Sequence, residues 1–225
     1  MRKYSAFDII GPAMIGPSSS HTAGAARLGK VAKLVAGGKI NKVKFLLHGS
    51  FAKTYRGHGT DRALVAGILG MDPWDERLRD SLKIAEDQGL DIRFLEADLG
   101  DMHPNTVKFI ITKEDETTVE VLGSSIGGGN ISITEIDGEP LEFTGVYPTL
   151  IIKHVDVPGM VSKVTALMSC EGINIAFMKV YRSSKGETAT MIFETDNVVS
   201  EKVVEEILSL EHIKNVRVIS PISEQ

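Results

Sequence analysis

The sequence predicts an α+β chain of two parts, an N-terminal α/β half and a C-terminal half ordered β-α-β-β-α-β. Three observations carry this prediction. Apolar residues recur at helical spacing between short alternating runs over roughly the first ninety residues. From His103 the texture changes to alternating strands separated by turn residues. From about Thr149 alternating runs and helical faces follow one another in a regular rhythm.

Residues 4–10 form a short apolar lead-in, with Phe7, Ile9 and Ile10 before the Gly11-Pro12 break. Ala25, Leu28, Ala32 and Val35 share one face of a first helix, which Gly37-Gly38 should end. Val43 to His48 reads as a strand ending at Gly49-Ser50. Residues 51–61, F-A-K-T-Y-R-G-H-G-T-D, are polar and punctuated by glycine. Thr60 with Asp61 is expected to cap a helix from Ala63 to Leu69, ended by Gly70. Pro73-Trp74-Asp75-Glu76 opens another through Leu78, Leu82 and Ala85, stopped by Gly89. Ile92 and Phe94 alternate in a short strand. Val107, Phe109 and Ile111 alternate, as do Val119 and Val121, which run into G-S-S-I-G-G-G-N at 123–130. Ile131 and Ile133 follow, and Asp137-Gly138 is a hairpin signal before Leu141 and Phe143. Residues 144–148 read as a linker.

In the last part Leu150 to Val155 is a strand and Asp156-Val157-Pro158-Gly159 a loop. Met160, Val164, Leu167 and Met168 mark a helix ended by Gly172. A strand from Ile173 reaches Tyr181, Ser183-Ser184-Lys185-Gly186 turns, and Ala189 to Glu194 returns. Val203, Val204, Ile207 and Leu208 mark a second helix, and Ile213 to Ile219 closes. This is the order of a ferredoxin-like split βαβ unit.

A chain of 225 residues can bury a full core without staples. Charged residues make up 24% and the formal net charge is -5, without the clustered Lys and Arg of a nucleic-acid footprint. No apolar run is long enough for a bilayer, and Met1-Arg2-Lys3-Tyr4-Ser5 lacks the apolar core of a signal peptide. Cys170 is the single cysteine. The expectation is a soluble, cytoplasmic protein with neither a nucleic-acid nor a membrane partner.

The chemistry concentrates between Gly11 and Gly29. Ser18, Ser19, Ser20, His21 and Thr22 put four hydroxyls and an imidazole in consecutive positions just after Gly16-Pro17. A serine here can cap the first helix. The end of that helix would then offer free amides and the positive pole of its dipole to a carboxylate or phosphate. An ordinary capped helix is the competing reading. One cap needs one hydroxyl, however, and His21 is the side chain that can move a proton near neutrality.

Residues 149–221 resemble an ACT domain, the small amino-acid-sensing module, through Asp156-Val157-Pro158-Gly159, the helix after it and Gly172-Ile173-Asn174. That resemblance implies a ligand loop at Asp156, Pro158, Gly159 and Met160. The competing reading is a tight strand-to-helix turn. It also admits self-association through the ACT domain. The front part, residues 1–146, resembles the β subunit of the bacterial two-subunit, iron–sulfur-dependent L-serine dehydratases. The carrying motifs are Asp8-Ile9-Ile10-Gly11-Pro12, Gly16 through Gly24, Gly49-Ser50-Phe51-Ala52-Lys53-Thr54, Gly57-His58-Gly59-Thr60-Asp61, His103-Pro104-Asn105-Thr106 and Ser124 through Gly129. The same domain is similar to the allosteric substrate-binding domain of some phosphoglycerate dehydrogenases. The expected domains are therefore a substrate-binding-like domain at 1–146 and an ACT domain at 149–225.

The resemblance implies dehydration of L-serine to pyruvate and ammonia on a 4Fe-4S cluster, without pyridoxal phosphate. The cysteines holding that cluster would belong to a separate α subunit, because Cys170 stands alone and reads as core packing within a helix. By the same resemblance, Ser18, Ser19, Ser20 and Thr22 would bind substrate. His21 and His58 would carry protons or serve as structural partners. Asp61 would orient a histidine or favour its own helix start. Lys53 would neutralise a carboxylate or sit in solvent, Thr60 would bind substrate, and His103 and Asn105, flanking Pro104, would bind substrate and shape the pocket. Ser124, Ser125, Gly127 and Gly128 would meet an anion, or the glycines would form only a bulged strand end. The glycines follow a strand and open no helix, so a dinucleotide site is not expected. A non-catalytic subunit that senses serine or another amino acid is the alternative.

Overall fold

The apolar stripe at Ala25, Leu28, Ala32 and Val35 is the buried face of helix α1 (Ala25–Ala36), which ends where Gly37 takes a φ of 61°. A computed structural model describes residues 13–182 and 184–220. The lead-in with Phe7, Ile9 and Ile10, the motif Asp8 to Pro12, and Ser183 lie outside the described residues. The chain divides into two compact units, with the division between Thr144 and Gly145.

The first unit is built on a six-stranded sheet. Its strands are β1 (Ile40–Leu47), β2 (Asp91–Glu96), β3 (Thr106–Lys113), β4 (Thr118–Gly127), β5 (Asn130–Ile136) and β6 (Glu139–Phe143), in the order β2-β1-β3-β4-β5-β6. β1 and β2 are parallel and the remaining pairs antiparallel. The alternation read from sequence puts Val43, Phe45 and Leu47 of β1, and Val107, Phe109 and Ile111 of β3, into the core. Asp137 and Gly138, with φ of 52° and 78°, form the two-residue hairpin turn between Ile136 and Glu139.

The parallel β1–β2 connection carries α2 (Gly49–Thr54), α3 (Thr60–Leu69), a 3-10 turn at Glu76–Asp80 and α4 (Ser81–Asp87). Two details differ from the sequence reading. The polar stretch after β1 contains the short helix α2, and the N-cap of α3 is Gly59 at φ 71° rather than Thr60. Thr60 is instead fully buried as the first residue of the helix. Helices α1 and α3 touch backbone to backbone, because a Cβ on Gly67 would stand 2.8 Å from the Cα of Gly29.

The second unit follows the order β7 (Thr149–Val155), α5 (Met160–Cys170), β8 (Ile175–Arg182), β9 (Thr188–Thr195), α6 (Glu201–Ser209) and β10 (Ile213–Ile219). Its antiparallel sheet runs β10-β7-β9-β8, the strand order of the split βαβ unit predicted. Leu150, Ile152, Met160, Val164, Met168, Phe193 and Ile207 fill the core between sheet and helices. Cys170 is a correction: it is the last residue of α5 and exposed, not packed in the core. Helix periodicity puts Val164 and Met168 inward, and Cys170 falls off that face. Among the described residues, no helix is long and apolar enough to cross a membrane.

Candidate functional site

Ser18 stands in extended conformation before a π-helical turn, Ser19–Gly24, that leads directly into α1. Its hydroxyl accepts from the amide of His21 at 3.3 Å, so one serine of the cluster is the expected cap. His21, within this turn, is buried and 9% exposed. Nδ1 lies 3.4 Å from the Ser18 hydroxyl, and Nε2 lies 3.3 Å from the hydroxyl of Ser50. The His21 ring meets Phe51 edge-on at 5.3 Å between centroids and His58 at 4.8 Å. Burial, and then the neighbouring His58, hold the His21 pKa below its ordinary value. The neutral imidazole is therefore the favoured form near pH 7, with a hydroxyl facing each ring nitrogen.

Ser50 reaches His21 because α2 begins on the His103–Thr106 segment. The amides of Ser50 and Phe51 donate to the Pro104 carbonyl at 2.7 and 3.3 Å. Gly49, at φ 57°, lies so close to Pro104 that a Cβ there would be 2.7 Å from its oxygen. His103 is exposed and accepts from the Asn105 amide at its own Nδ1, while the Asn105 carbonyl accepts from Ser125 N at 3.0 Å. This motif thus holds the α2 start and strand β4 through its backbone.

The other candidates divide. Ser19 and Ser20 are half-buried, and among the described residues neither hydroxyl has a hydrogen-bond partner. Thr22 is 1% exposed and its hydroxyl is unpartnered among the described atoms, as are those of Thr60 and Ser125. The Ser124 hydroxyl shares a 2.6 Å hydrogen bond with that of Thr106. Ser125 is fully buried beneath Gly24, where any Cβ would strike it. Gly127 pairs with Asn130 across Gly128-Gly129, whose φ values are 62° and 82°. The glycine run is thus a bulged strand end and hairpin turn, and the Gly129 carbonyl accepts from Arg27 at 3.0 Å.

Asp61 bonds to the amide of its neighbour Arg62 at 2.8 Å, and burial raises its pKa. Among the described residues it bonds to no histidine, which fits the helix-start reading. Lys53 is exposed. In the second unit, Asp156 accepts from Gly186 N at 2.8 Å and pairs with Arg182 at 2.9 Å, so its carboxylate closes the hairpin beside it. Gly159 caps α5 at φ 87° and Pro158 is exposed. Met160 is 1% exposed and belongs to the core.

Sequence reasoning missed Ser50, although Gly49-Ser50 directly after a strand is a helix-start signal. It also missed Arg56, Arg62 and Arg79, which line a cavity of about 320 Å³ beside His58 and Thr22. Among the described residues, no three His, Cys, Asp or Glu side chains converge as metal ligands.

A short parallel crossover feeding an otherwise antiparallel sheet, with a histidine–hydroxyl cluster at a helix start, followed in the chain by a split βαβ unit, defines a two-domain α+β protein. Residues 5–83 match the family described as serine dehydratase beta chain, and residues 148–212 match the ACT domain. The chain is 43% identical to the probable L-serine dehydratase, beta chain, of Bacillus subtilis, over 95% of this chain and 96% of that one. It is 42% identical to the L-serine dehydratase, beta chain, of Peptoniphilus asaccharolyticus, over 94% and 96%. A D-3-phosphoglycerate dehydrogenase of Methanocaldococcus jannaschii is 30% identical over 86% of this chain and 36% of its own length. The chain belongs to the L-serine dehydratase beta-chain family.

Proposed function

We propose that this chain forms one wall of an L-serine dehydration site and works only with a second, α subunit. The relatives' designation as beta chains supports such a partner. Elimination of water from serine gives aminoacrylate, which decays to pyruvate and ammonia. The Cα proton needs a base, and hydroxide is a poor leaving group that a Lewis acid assists. The family resemblance assigns that assistance to a 4Fe-4S cluster. This chain's residues do not fit such a cluster, since its one cysteine is exposed at the end of α5. The thiolates are therefore assigned to the α subunit.

The observation that carries the reading is His21, buried and neutral between the Ser18 and Ser50 hydroxyls and edge-on to His58. A sensor of serine needs hydrogen-bond donors but no proton acceptor held neutral. In this reading the His21–His58 pair accepts and relays the proton, and the unpartnered Ser19 and Ser20 hydroxyls orient the substrate. The test is anaerobic co-purification with the α subunit, iron analysis, and pyruvate formation by the His21→Ala complex. A fall in kcat of about 10²–10⁴-fold with iron content unchanged is expected. Near wild-type turnover would move the chain to the regulatory reading.

That second reading has its own support in the ACT match. The exposed Phe177, Met178 and Val180 on the edge strand β8 also suit self-association of this unit.

A further inference from the structure

The cavity beside His58 has a charge that the serine reading does not use. Arg56, Arg62 and Arg79 all line it, together with Thr22 and His58. The three arginines are exposed, and among the described residues they take part in no ion pair. Arg56 lies over the ring of its neighbour Tyr55 at 5.4 Å, which restrains its guanidinium. Asp61 is the acid that feels Arg62 and Arg56, and it is already bonded to a backbone amide. No carboxylate is among the residues that line the cavity, so nothing in its wall balances the three guanidinium groups. Thr22 closes one side of the cavity, 1% exposed, with its hydroxyl packed against Gly16.

We propose that this cavity binds a small doubly charged oxyanion, a phosphate or a dicarboxylate, held by Arg56, Arg62 and Arg79. Guanidinium forks match both chemistries bidentately. L-serine itself is disfavoured there, because its ammonium group sits one bond from the carbon bearing its carboxylate and would face the same positive surplus. A volume of about 320 Å³ suits an ion or a ligand of a few carbons. His58 belongs to this cavity and also touches His21. An occupant therefore brings negative charge beside the histidine pair. That regulatory consequence rests on the serine dehydration reading; the binding itself does not.

Calorimetric titration of the full chain with inorganic phosphate, at fixed ionic strength and without the α subunit, tests the binding. Saturable one-to-one uptake is expected, weakened at least ten-fold by Arg62→Gln and by Arg79→Gln. Lys83→Gln, an exposed cation change outside the cavity, should leave it unaltered. Methyl phosphate and malonate as competitors separate a phosphate monoester from a dicarboxylate. In a second measurement, phosphate should shield Arg56, Arg62 and Arg79 from phenylglyoxal, mapped by mass spectrometry, which needs no variant to fold. Unsaturable heats, arginine variants that bind as wild type, or absent shielding would each overturn the proposal. So would L-serine competing for the same arginines. Failure here leaves the His21 test untouched, because no turnover is read.

Discussion

Gly67→Ala is the sharpest probe of how the fold holds this site. An alanine in mid-helix normally stabilises by about 0.5–1 kcal/mol relative to glycine. Here a Cβ would stand 2.6 Å from the amide nitrogen of Lys30 and 2.8 Å from the Cα of Gly29, both backbone atoms of α1. Ordinary carbon contacts lie near 3.5–4.0 Å, so α1 and α3 must part by about 1 Å. Overpacking of that kind costs about 1–3 kcal/mol, and the gap opened beside Ala25, Leu28, Ala63 and Leu64 weakens their dispersion contacts further. The net loss is about 1–2 kcal/mol, or a fall in Tm of about 2–8 °C for a chain of this length. The same displacement separates His21, on the turn before α1, from His58, just ahead of α3. A misplacement of about 1 Å in a reacting constellation costs about 10²-fold in rate. Thermal denaturation followed by circular dichroism, and serine turnover by the reconstituted complex, read the two effects. A Gly67→Ala protein as stable as wild type, with undiminished turnover, would refute the claim that backbone contact between these helices sets the site.

The remaining predictions concern titration, contact and reactivity. The His21 imidazole, followed by NMR, should titrate below 6.5, and His58→Gln should raise its pKa by removing a like charge; an unshifted midpoint would contradict the pairing. Because the folded pKa is depressed, the unfolded chain binds more protons in that window. The stability present above 6.5 should therefore decline as pH falls from there through the folded pKa, and His21→Gln should flatten the decline. Ser50→Ala removes one long hydrogen bond to His21 and should cost about 0.5–1.5 kcal/mol in the barrier, about 2- to 13-fold in kcat/KM. Cys170 should react with a disulfide reagent in the native chain, and Cys170→Ser should leave iron content and turnover of the complex unchanged. Phe177→Lys, on the exposed edge strand, should shift sedimentation toward a smaller species; an unchanged profile would remove β8 as an association surface.

Most of the architecture was legible because periodicity and punctuation are local. Ala25, Leu28, Ala32 and Val35 had to face one way, and Asp137-Gly138 had to turn. What was not legible depends on contacts distant in sequence. Helix α2 is short, and its start is fixed by the Pro104 carbonyl more than fifty residues on. Gly49-Ser50 is the one local signal for it, and nothing local announced the delivery of Ser50 to His21. The arginines escaped notice because Arg56, Arg62 and Arg79 are scattered singly, and only the α2–α3 turn, the first turn of α3 and the 3-10 segment bring them around one cavity. Cys170 misled because a cysteine in an amphipathic helix reads as apolar, whereas its position on the face decides.

The crowding of hydroxyls in Ser18 to Thr22 looked redundant for a cap, and the structure separates their work. Ser18 caps the turn and faces His21 Nδ1 at once. Thr22 packs against Gly16 at the wall of the arginine-lined cavity. Ser19 and Ser20 keep half-buried hydroxyls without partners among the described residues. His21 and Thr22 are both buried, as are Ala23 and Gly24 after them and Ala25 to Gly29 at the start of α1. The capped-helix and binding-site readings are thus not rivals here. The cap fixes the turn, the turn buries the imidazole, and burial keeps it neutral and able to take a proton.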